Sequence, residues 1–570
     1  MKITFAFKLA TAALSVSLIS SLSSAASYKF SMNAMCYLKN SKDSKVEAFN
    51  PSKEEIAASD SSFVKKVPTK TKESDLTEKF RIASLSKILV THWAVAKLGP
   101  TYRFQSKVHV TPAEKGSACN LYFQGDSDPF LGKEMLDTVF AQLKATFKAK
   151  KVCTSIDKIS YDDNFFVPFN DVTKSFVVQH RQDVDLRASN PIRFYGPNTT
   201  KKALQYFVKK QRHLKVTGNI GITDTDEYTD YLKKVPATSY VFKSRPLHMI
   251  LREFNAYSFN VPPDILFSKL GGETAYAAFI KERLGYGGDQ VDMANGSGYP
   301  IISDGKRYNE VSCSALVRTI QDLDILLGAY KGGRSFQLAD VMAVGGNDEE
   351  YSTFKSLYGS SQFTNTLVAK TGSADEAITF GGMLSTTEGD LYFAVLTKPN
   401  SYTNHITNGA RVYIRDLMSI MSERFKLKKF DYTQIGLMVP IDGESKLVEI
   451  NSKGEVIPTV ESKAAEIKTE DHKIEVIKIE PAKMAKSTKP SKPKATPAAK
   501  PAKEKPAVTA KADAKKDVKS EAQVEEKVEA KSVEKSTEVA EEKVETKETD
   551  SKKEDNAKKR RFPTPRHEEA

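Results

Sequence analysis

The chain has 570 residues, of which 40% are hydrophobic and 28% charged, and its formal net charge is +14. The length allows several domains, and the uneven composition leaves part of the chain outside any core. Cys36, Cys119, Cys153 and Cys313 are too few for a disulfide scaffold, and the absence of C-x-x-C and H-E-x-x-H argues against zinc or dithiol redox chemistry.

The first stretch, "MKITFAFKLATAALSVSLISSLSSAAS", has lysines at 2 and 8, then an apolar run from Leu9 to Leu22 closed by small residues. This is the layout of a cleavable secretory signal over 1–26, cut after Ala25 or Ala26. A membrane anchor is the rival reading, but the run is short for a span and nothing later is apolar enough to cross a bilayer. The chain reads as exported, to a periplasm or cell envelope.

Residues 80–100, "FRIASLSKILVTHWAVAKLGP", place Ser84 three positions before Lys87 at the mouth of an apolar helix. A serine hydroxyl is a poor nucleophile near neutral pH and needs a base beside it. Positions i and i+3 share one helix face, so the lysine can reach the serine. Backbone N–H groups at the helix start would also favour a developing oxyanion. By itself S-x-x-K is common, and a packed helix start is the plain alternative.

"NLYFQG" at 120–125 looks like a protease-tag scar but continues smoothly into "DSDPFLG", and reads as native sequence. "DTDEYTD" from Asp224 imitates a calcium loop, but it lacks the glycine and the bidentate glutamate and reads as a polar turn. Helical periodicity is expected at "SLSKILVTHWAVAKL", "LHMILREFNAY", "SALVRTIQDLDILLGAY" and "GARVYIRDLMSIMSERF". Strands are expected at "NTLVAKTGS", "ITFGGMLSTTEG" and "DLYFAVLTK", the last two antiparallel across a Glu-Gly-Asp turn. Strands and helices without regular alternation favour an α+β fold, an antiparallel sheet with packed helices.

Two further motifs follow. In "LREFNAYSFNVPPDILFSKLGG", Ser258 and Asn260 form S-x-N after a helix, where a hydroxyl can relay protons and an amide can hold a carbonyl; an ordinary polar turn is the alternative. In "NTLVAKTGSADEAITFGG", Lys370, Thr371, Gly372 and Ser373 end an apolar strand. A strand edge there can pair with an extended peptide, and Gly372 allows close backbone approach.

Residues 426–480 carry short strand-like stretches, with turns at "DGES" and "SKGE", in an extension of unassigned structure. From 481 to 570 the chain turns to Lys, Ala, Glu and Pro, with 24 Lys+Arg against 18 Asp+Glu. No aromatic occurs from 481 to 561, so this tail cannot bury enough apolar surface to order itself. It is either a solvated spacer or a polycation for anionic envelope polymers, and export argues against nucleic acid.

S-x-x-K, S-D-N and K-T-G in that order form the signature of penicillin-binding proteins and class A β-lactamases. Here Phe259 replaces the middle aspartate, and a long insertion separates the first two motifs. The chain resembles the D-alanyl-D-alanine carboxypeptidase/endopeptidase family of type-4 penicillin-binding proteins over residues 28–425. "LYFQGDSDPFLG", "ISYDDNFF", "VDMANGSGYP" and "GGMLSTTEGDLYFAVLTKPN" resemble further family segments, with Asn295 where the family usually has aspartate. The resemblance implies a DD-peptidase/β-lactamase-like transpeptidase domain from 27–105 and 240–425, with a mainly β insertion at 106–239.

It further implies a serine peptidase needing no cofactor and no metal, acting on peptidoglycan stem peptides or cross-links and acylated by β-lactams. Ser84 would be the nucleophile, Lys87 its base and Ser258 a proton relay. Asn260 and Lys370 would position the peptide, Thr371 would bind its carboxylate, Gly372 would let its backbone approach, the N–H groups of Ser84 and Ser373 would form the oxyanion hole, and Asp162 would meet a stem-peptide amine. A disulfide between Cys119 and Cys153 is expected in the insertion. The alternatives are a non-catalytic peptidoglycan-binding module, or an envelope-binding protein acting through its tail.

Overall fold

The computed structural model describes residues 30–167, 200–205, 214–346, 361–433 and 446–457, less a few short loops within those spans. The expected signal, the tail and the "DGES" turn lie outside them. In chain order the strands are β1 (Phe30–Lys39), β2 (Glu47–Ala48), β3 (Lys79–Arg81), β4 (Gln105–Pro112), β5 (Ala118–Gln124), β6 (Ser155–Tyr161), β7 (Ile220–Ile222), β8 (Thr238–Lys243), β9 (Val291–Asp292), β10 (Glu310–Ser312), β11 (Ala343–Val344), β12 (Leu367–Ala374), β13 (Ala377–Thr386), β14 (Gly389–Pro399) and β15 (Val448–Ile450). The longer helices are α1 (Ser86–Leu98), α2 (Lys133–Lys150), α3 (Thr225–Lys234), α4 (Leu247–Tyr257), α5 (Val261–Lys269), α6 (Gly272–Leu284), α7 (Cys313–Gly328) and α8 (Asn404–Phe425).

A fully antiparallel sheet runs β11–β12–β13–β14–β1–β2. Every residue of β13 is buried, because both faces of the sheet are covered. One face packs on α1 and α7, the other on α8, and each forms its own apolar cluster. Helix α1 is buried continuously from Ser86 to Val95, so it is enclosed rather than amphipathic. It stops at Gly99, whose φ of +79° suits glycine, and Pro100 follows. The three expected strands and four expected helices all form, with α8 starting earlier than its periodicity suggested.

The cysteines overturn the expectation that they make no framework: all four pair. Cys119–Cys153 bridges as anticipated, and Cys36–Cys313 ties β1 to the first residue of α7. Closing a loop with a sequence separation of 277 removes on the order of 5 kcal/mol of unfolded-chain entropy.

A second sheet runs β15–β8–β4–β5–β6–β7. It is mixed: β5–β6 and β6–β7 are parallel, and α2 makes the crossover from β5 to β6. Leu136, Val139, Phe140, Leu143 and Phe147 recur at helical spacing on α2 and bury against Val108, Leu121, Phe123, Ile156 and Ile159. The insertion expected to be mainly β thus also carries a long helix, α2, packed on its sheet. The reading of "DTDEYTD" is corrected, since from Thr225 it forms the first turns of α3 rather than a polar turn. "NLYFQG" is native structure: Asn120–Gln124 lie in β5.

The stretch after α8 returns across the molecule. The guanidinium of Arg252 lies over the Tyr432 ring, 5.3 Å from its centroid. Farther on, β15 extends the second sheet beside β8, Leu447 N–H donates to Gln142 Oε1 at 2.7 Å, and Lys150 pairs with Glu449. The seam between the sheets is held by Asp126, which accepts from Lys269 Nζ at 2.6 Å and from Tyr102 OH at 3.1 Å.

Beside that seam Asp128 is buried, with Oδ1 accepting from Phe130 N–H at 2.9 Å. Burial pushes its carboxyl up to about 7. The folded state thus holds this proton more tightly than the unfolded chain, so the group favours folding below about pH 4 and loses that contribution as pH rises through about 7. Asp128→Asn keeps the acceptor for Phe130 and removes the charge. Urea unfolding against pH should show the variant flatter between about pH 4 and 7, and more stable at about pH 8 by on the order of 2–4 kcal/mol. Parallel pH profiles for the two proteins would contradict this.

Candidate active site

Ser84 stands in a 3-10 turn, Ala83–Leu85, that leads directly into α1. Ala83 has a φ of +48°, which a residue with a Cβ seldom adopts. The turn is braced by Ser86 Oγ donating to Ala83 O at 2.7 Å and Ile82 N–H donating to Asn309 O at 3.2 Å. One turn on, the buried Lys87 amine lies 2.8 Å from Ser84 Oγ, 2.9 Å from Asn260 Oδ1 and 2.8 Å from the Ser297 carbonyl. The two carbonyl oxygens can only accept. A neutral amine satisfying both with its N–H groups would turn its lone pair towards Ser84.

Helix α4 ends at Tyr257, and Ser258 takes a left-handed conformation with φ +61°. That turns its hydroxyl to Lys370 Nζ, which donates to Ser258 Oγ at 2.9 Å and to Thr371 O at 2.7 Å. Asn260 precedes α5, whose opening Val-Pro-Pro suits a helix start. Phe259, between the two motif residues, is buried with its ring 6.1 Å from Phe130 and 5.5 Å from Tyr257. An aromatic there packs the loop after β5 against the core.

On β12, alternation aims Lys370 and Gly372 at the α1 side and Thr371 and Ser373 at the α8 side. A Cβ on Gly372 would lie 2.2 Å from Thr379 Oγ1, 2.8 Å from Ile82 O and 3.3 Å from Ser84 N. Only glycine lets the strand lie this close to the serine turn. β11 pairs with Val368 and Ala369 alone, so the outer edge of Lys370–Ala374 has no partner among the described strands.

Sequence reasoning missed Asp264, Ser297 and Asn309. Asp264 is buried on α5 and accepts from Ser297 N–H at 2.7 Å, fixing the segment whose carbonyl faces Lys87. Burial raises the Asp264 pKa, and the Lys87 charge opposes that shift. Asn309 Nδ2 donates to Ser86 Oγ at 2.9 Å and to Asn295 O at 2.8 Å. Asn295 accepts Gly298 N–H at 2.8 Å and donates to Tyr299 O at 2.6 Å, a donation a carboxylate could not make. A Cβ on Gly296 would lie 2.1 Å from Pro263 O, and one on Gly298 1.9 Å from Ala83 O. The loop is wedged between α5 and the serine turn.

Ser84, Lys87, Ser258, Asn260, Lys370 and Gly372 thus lie together on the α1 side of β12, and Thr371 and Ser373 flank them on the same strand with their side chains on its other face. Asp162 directly follows β6 of the second sheet, and its buried carboxylate accepts from Gly125 N–H at 2.9 Å and Asn164 N–H at 3.2 Å, closing its own turn. Among the described residues no group of three His, Cys, Asp or Glu is placed to hold a metal, and no helix is long and apolar enough to cross a membrane.

The chain matches the family model "D-Ala-D-Ala carboxypeptidase 3 (S13) family" over residues 51–166 and 187–413. No curated protein sequence matches it. Among solved structures it is similar to a predatory endopeptidase from Bdellovibrio bacteriovorus in complex with an immunity protein, at 25% identity and a TM-score of 0.55, covering 73% of this chain and 100% of that one. A predatory peptidoglycan endopeptidase of the same organism matches at 28% identity and a TM-score of 0.55, covering 74% and 100%. A penicillin G-acylated endopeptidase of that organism, also with an immunity protein, matches at 27% and 0.54 over the same shares. The catalytic-type motifs, the sheet that carries them and a model match over more than half of the sequence agree: this chain belongs to the D-Ala-D-Ala carboxypeptidase 3 (S13) family of serine peptidases.

Proposed function

We propose that Ser84 is the nucleophile of a D-alanyl peptidase acting on peptidoglycan stem peptides and their cross-links. The observation that carries this reading is the Lys87 amine, flanked by two carbonyl acceptors so that its remaining direction is Ser84 Oγ. Ser84 Oγ attacks the D-alanine carbonyl carbon while its proton passes to Lys87 Nζ. The oxyanion is held by the N–H groups of Ser84 and Ser373. Collapse breaks the C–N bond, and the leaving nitrogen takes a proton through Ser258, next to Lys370. Water then attacks the ester and restores Ser84. The open edge of β12 is where the peptide backbone pairs, with Thr371 and Asn260 at its polar groups.

Cleavage of cross-links is supported by relatives described as endopeptidases, and acylation by β-lactams by the penicillin G-acylated relative. The signal-like first 26 residues support a periplasmic or envelope location. With 24 Lys+Arg against 18 Asp+Glu, the tail would adhere to anionic envelope polymers.

Ser84→Ala should bind no penicillin covalently and release no product from a D-Ala-D-Ala peptide, with an unchanged melting temperature. Lys87→Met keeps the side-chain volume and removes the base, and should slow penicillin acylation by about 100- to 10,000-fold. Acylation of Lys87→Met at near the wild-type rate would return the motif to a packed helix start.

Gly298→Ala tests the wedged loop. Its Cβ meets the Ala83 carbonyl and its φ is +76°, so the segment carrying the Ser297 carbonyl must move. Acylation should fall at least about tenfold, with a stability loss of about 1–3 kcal/mol. Wild-type acylation kinetics would show that this loop does not set the Lys87 position.

Truncation after residue 465 should leave turnover on a small soluble peptide intact. It should weaken retention on isolated cell wall at low salt, a difference that added salt removes. Equal retention of both forms at low salt leaves the spacer reading of the tail.

A further inference from the structure

We infer that Asp264 is a positioning residue for acylation: its carboxylate fixes the Ser297 segment and is the buried counter-charge when Lys87 takes the proton of Ser84. This rests on Ser84 being the nucleophile. Asn260 caps α5 and Asp264 lies one turn on, so the two share a face. Asn260 touches the Lys87 amine directly. Asp264 reaches it through the loop: Oδ1 accepts from Ser297 N–H at 2.7 Å, and the carbonyl of that same residue lies 2.8 Å from Lys87 Nζ. The Ser297 hydroxyl and Gly296 N–H also donate to this carboxylate. A Cβ on Gly296 would lie 2.1 Å from Pro263 O and 3.0 Å from Asp264 N, so the loop seats directly on the helix.

Hydrogen bonding alone asks only for an acceptor at this position. The charge has a separate use. Attack of Ser84 Oγ on a carbonyl carbon forms the O–C bond and passes the serine proton to Lys87 Nζ, which turns a neutral amine into a buried ammonium. A lone ammonium is costly in such an enclosure. Burial raises the Asp264 carboxyl to about 6, against the Lys87 charge and the Ser297 and Gly296 donors, so it is ionised at neutral pH. The proton stays on Lys87, and the carboxylate stabilises the state in which Lys87 holds it.

The surrounding charges leave this role to Asp264. Lys370, on the α1 side of β12, is a second cation and favours the neutral amine. Lys269 of α5 is engaged with Asp126, and Arg252 of α4 with the Ala339 carbonyl. Glu253 is two residues from Asn255, which touches Thr91 of α1, and so lies on the other face of α4. On α7, Asp322 binds His92 and Arg283, Asp324 binds Tyr392 OH, and Arg318 binds Gln321. Removing the Asp264 charge therefore has two effects of known sign. Lys87 loses its proton at lower pH, and it becomes a weaker base for Ser84.

The test is the pH profile of second-order acylation by a penicillin, for full-length wild type, Asp264→Asn and Asp264→Glu. Asparagine keeps an acceptor for Ser297 N–H and removes the charge. Its acid limb should move to lower pH by about one unit or more, and its plateau should fall at least about tenfold. Asp264→Glu keeps the charge and should hold the limb at its wild-type position. A limb in Asp264→Asn that stays at the wild-type pH, whatever the plateau, is what a purely structural role gives and overturns the inference. Should neither variant fold, the reciprocal measurement is made on Lys87→Met. Carbon-13 NMR of aspartate-labelled protein should then show one buried carboxyl titrating at higher pH than in wild type, and unchanged carboxyl titrations overturn the inference. Wild-type protein that penicillin does not acylate overturns the nucleophile reading, and this inference with it.

Discussion

The site depends on one buried amine. Lys87 is fully enclosed, and three of its polar neighbours come from three separate stretches: the serine turn, the start of α5 and the loop at Ser297. A lysine in such a place is costly unless its donors are satisfied. Packing and hydrogen bonds set all three neighbours. Asp264 holds the Ser297 amide, Asn309 holds the Asn295 carbonyl and Ser86, and the glycines at 296 and 298 let the backbones approach. The buried Asp264 carboxyl is pushed up by desolvation and drawn back by the lysine charge, so the two groups are electrostatically linked within this enclosure.

The larger architecture keeps those pieces in register. The antiparallel sheet places Gly372 against the serine turn, and Cys36–Cys313 ties the sheet to α7, which packs beside α1. Lys370 and Ser258 form a second polar pair on the α1 side of β12, while Ser373 and Arg411 meet on the α8 side. The serine turn therefore lies beside a strand that carries two polar pairs, one on each face, separated by the alternation of that single strand. The second sheet joins this core through the Asp126–Lys269 seam and through the returning chain that ends in β15.

Much of this is legible in the sequence. α4 follows from its helical period, and the three long strands β12–β14 from short runs of β-branched, aromatic and other apolar residues between turn signals, the pattern of strands buried on both faces. The motif order at 84, 258 and 370 picked out side chains that lie together in the fold, because each sits on or beside a strongly patterned element. What failed to appear was set by tertiary contact. Asp264 and Ser297 are neighbours only because α5 and the loop after β9 meet. The parallel pairing of β5 with β6 is decided by a crossover, not by either strand. The apolar spacing of α2, from Leu136 to Phe147, does carry a helix signal in the sequence itself. β15 and the Cys36–Cys313 bridge join segments 200 or more residues apart, where pattern carries no information.

The role of Ser84 is tested most directly by locating the covalent product. Full-length protein is reacted with a penicillin, digested, and the modified residue identified by peptide mass mapping. One adduct is expected, the penicilloyl ester of Ser84. An adduct on Ser258 or on any other residue, or no adduct on folded protein, would contradict the central claim.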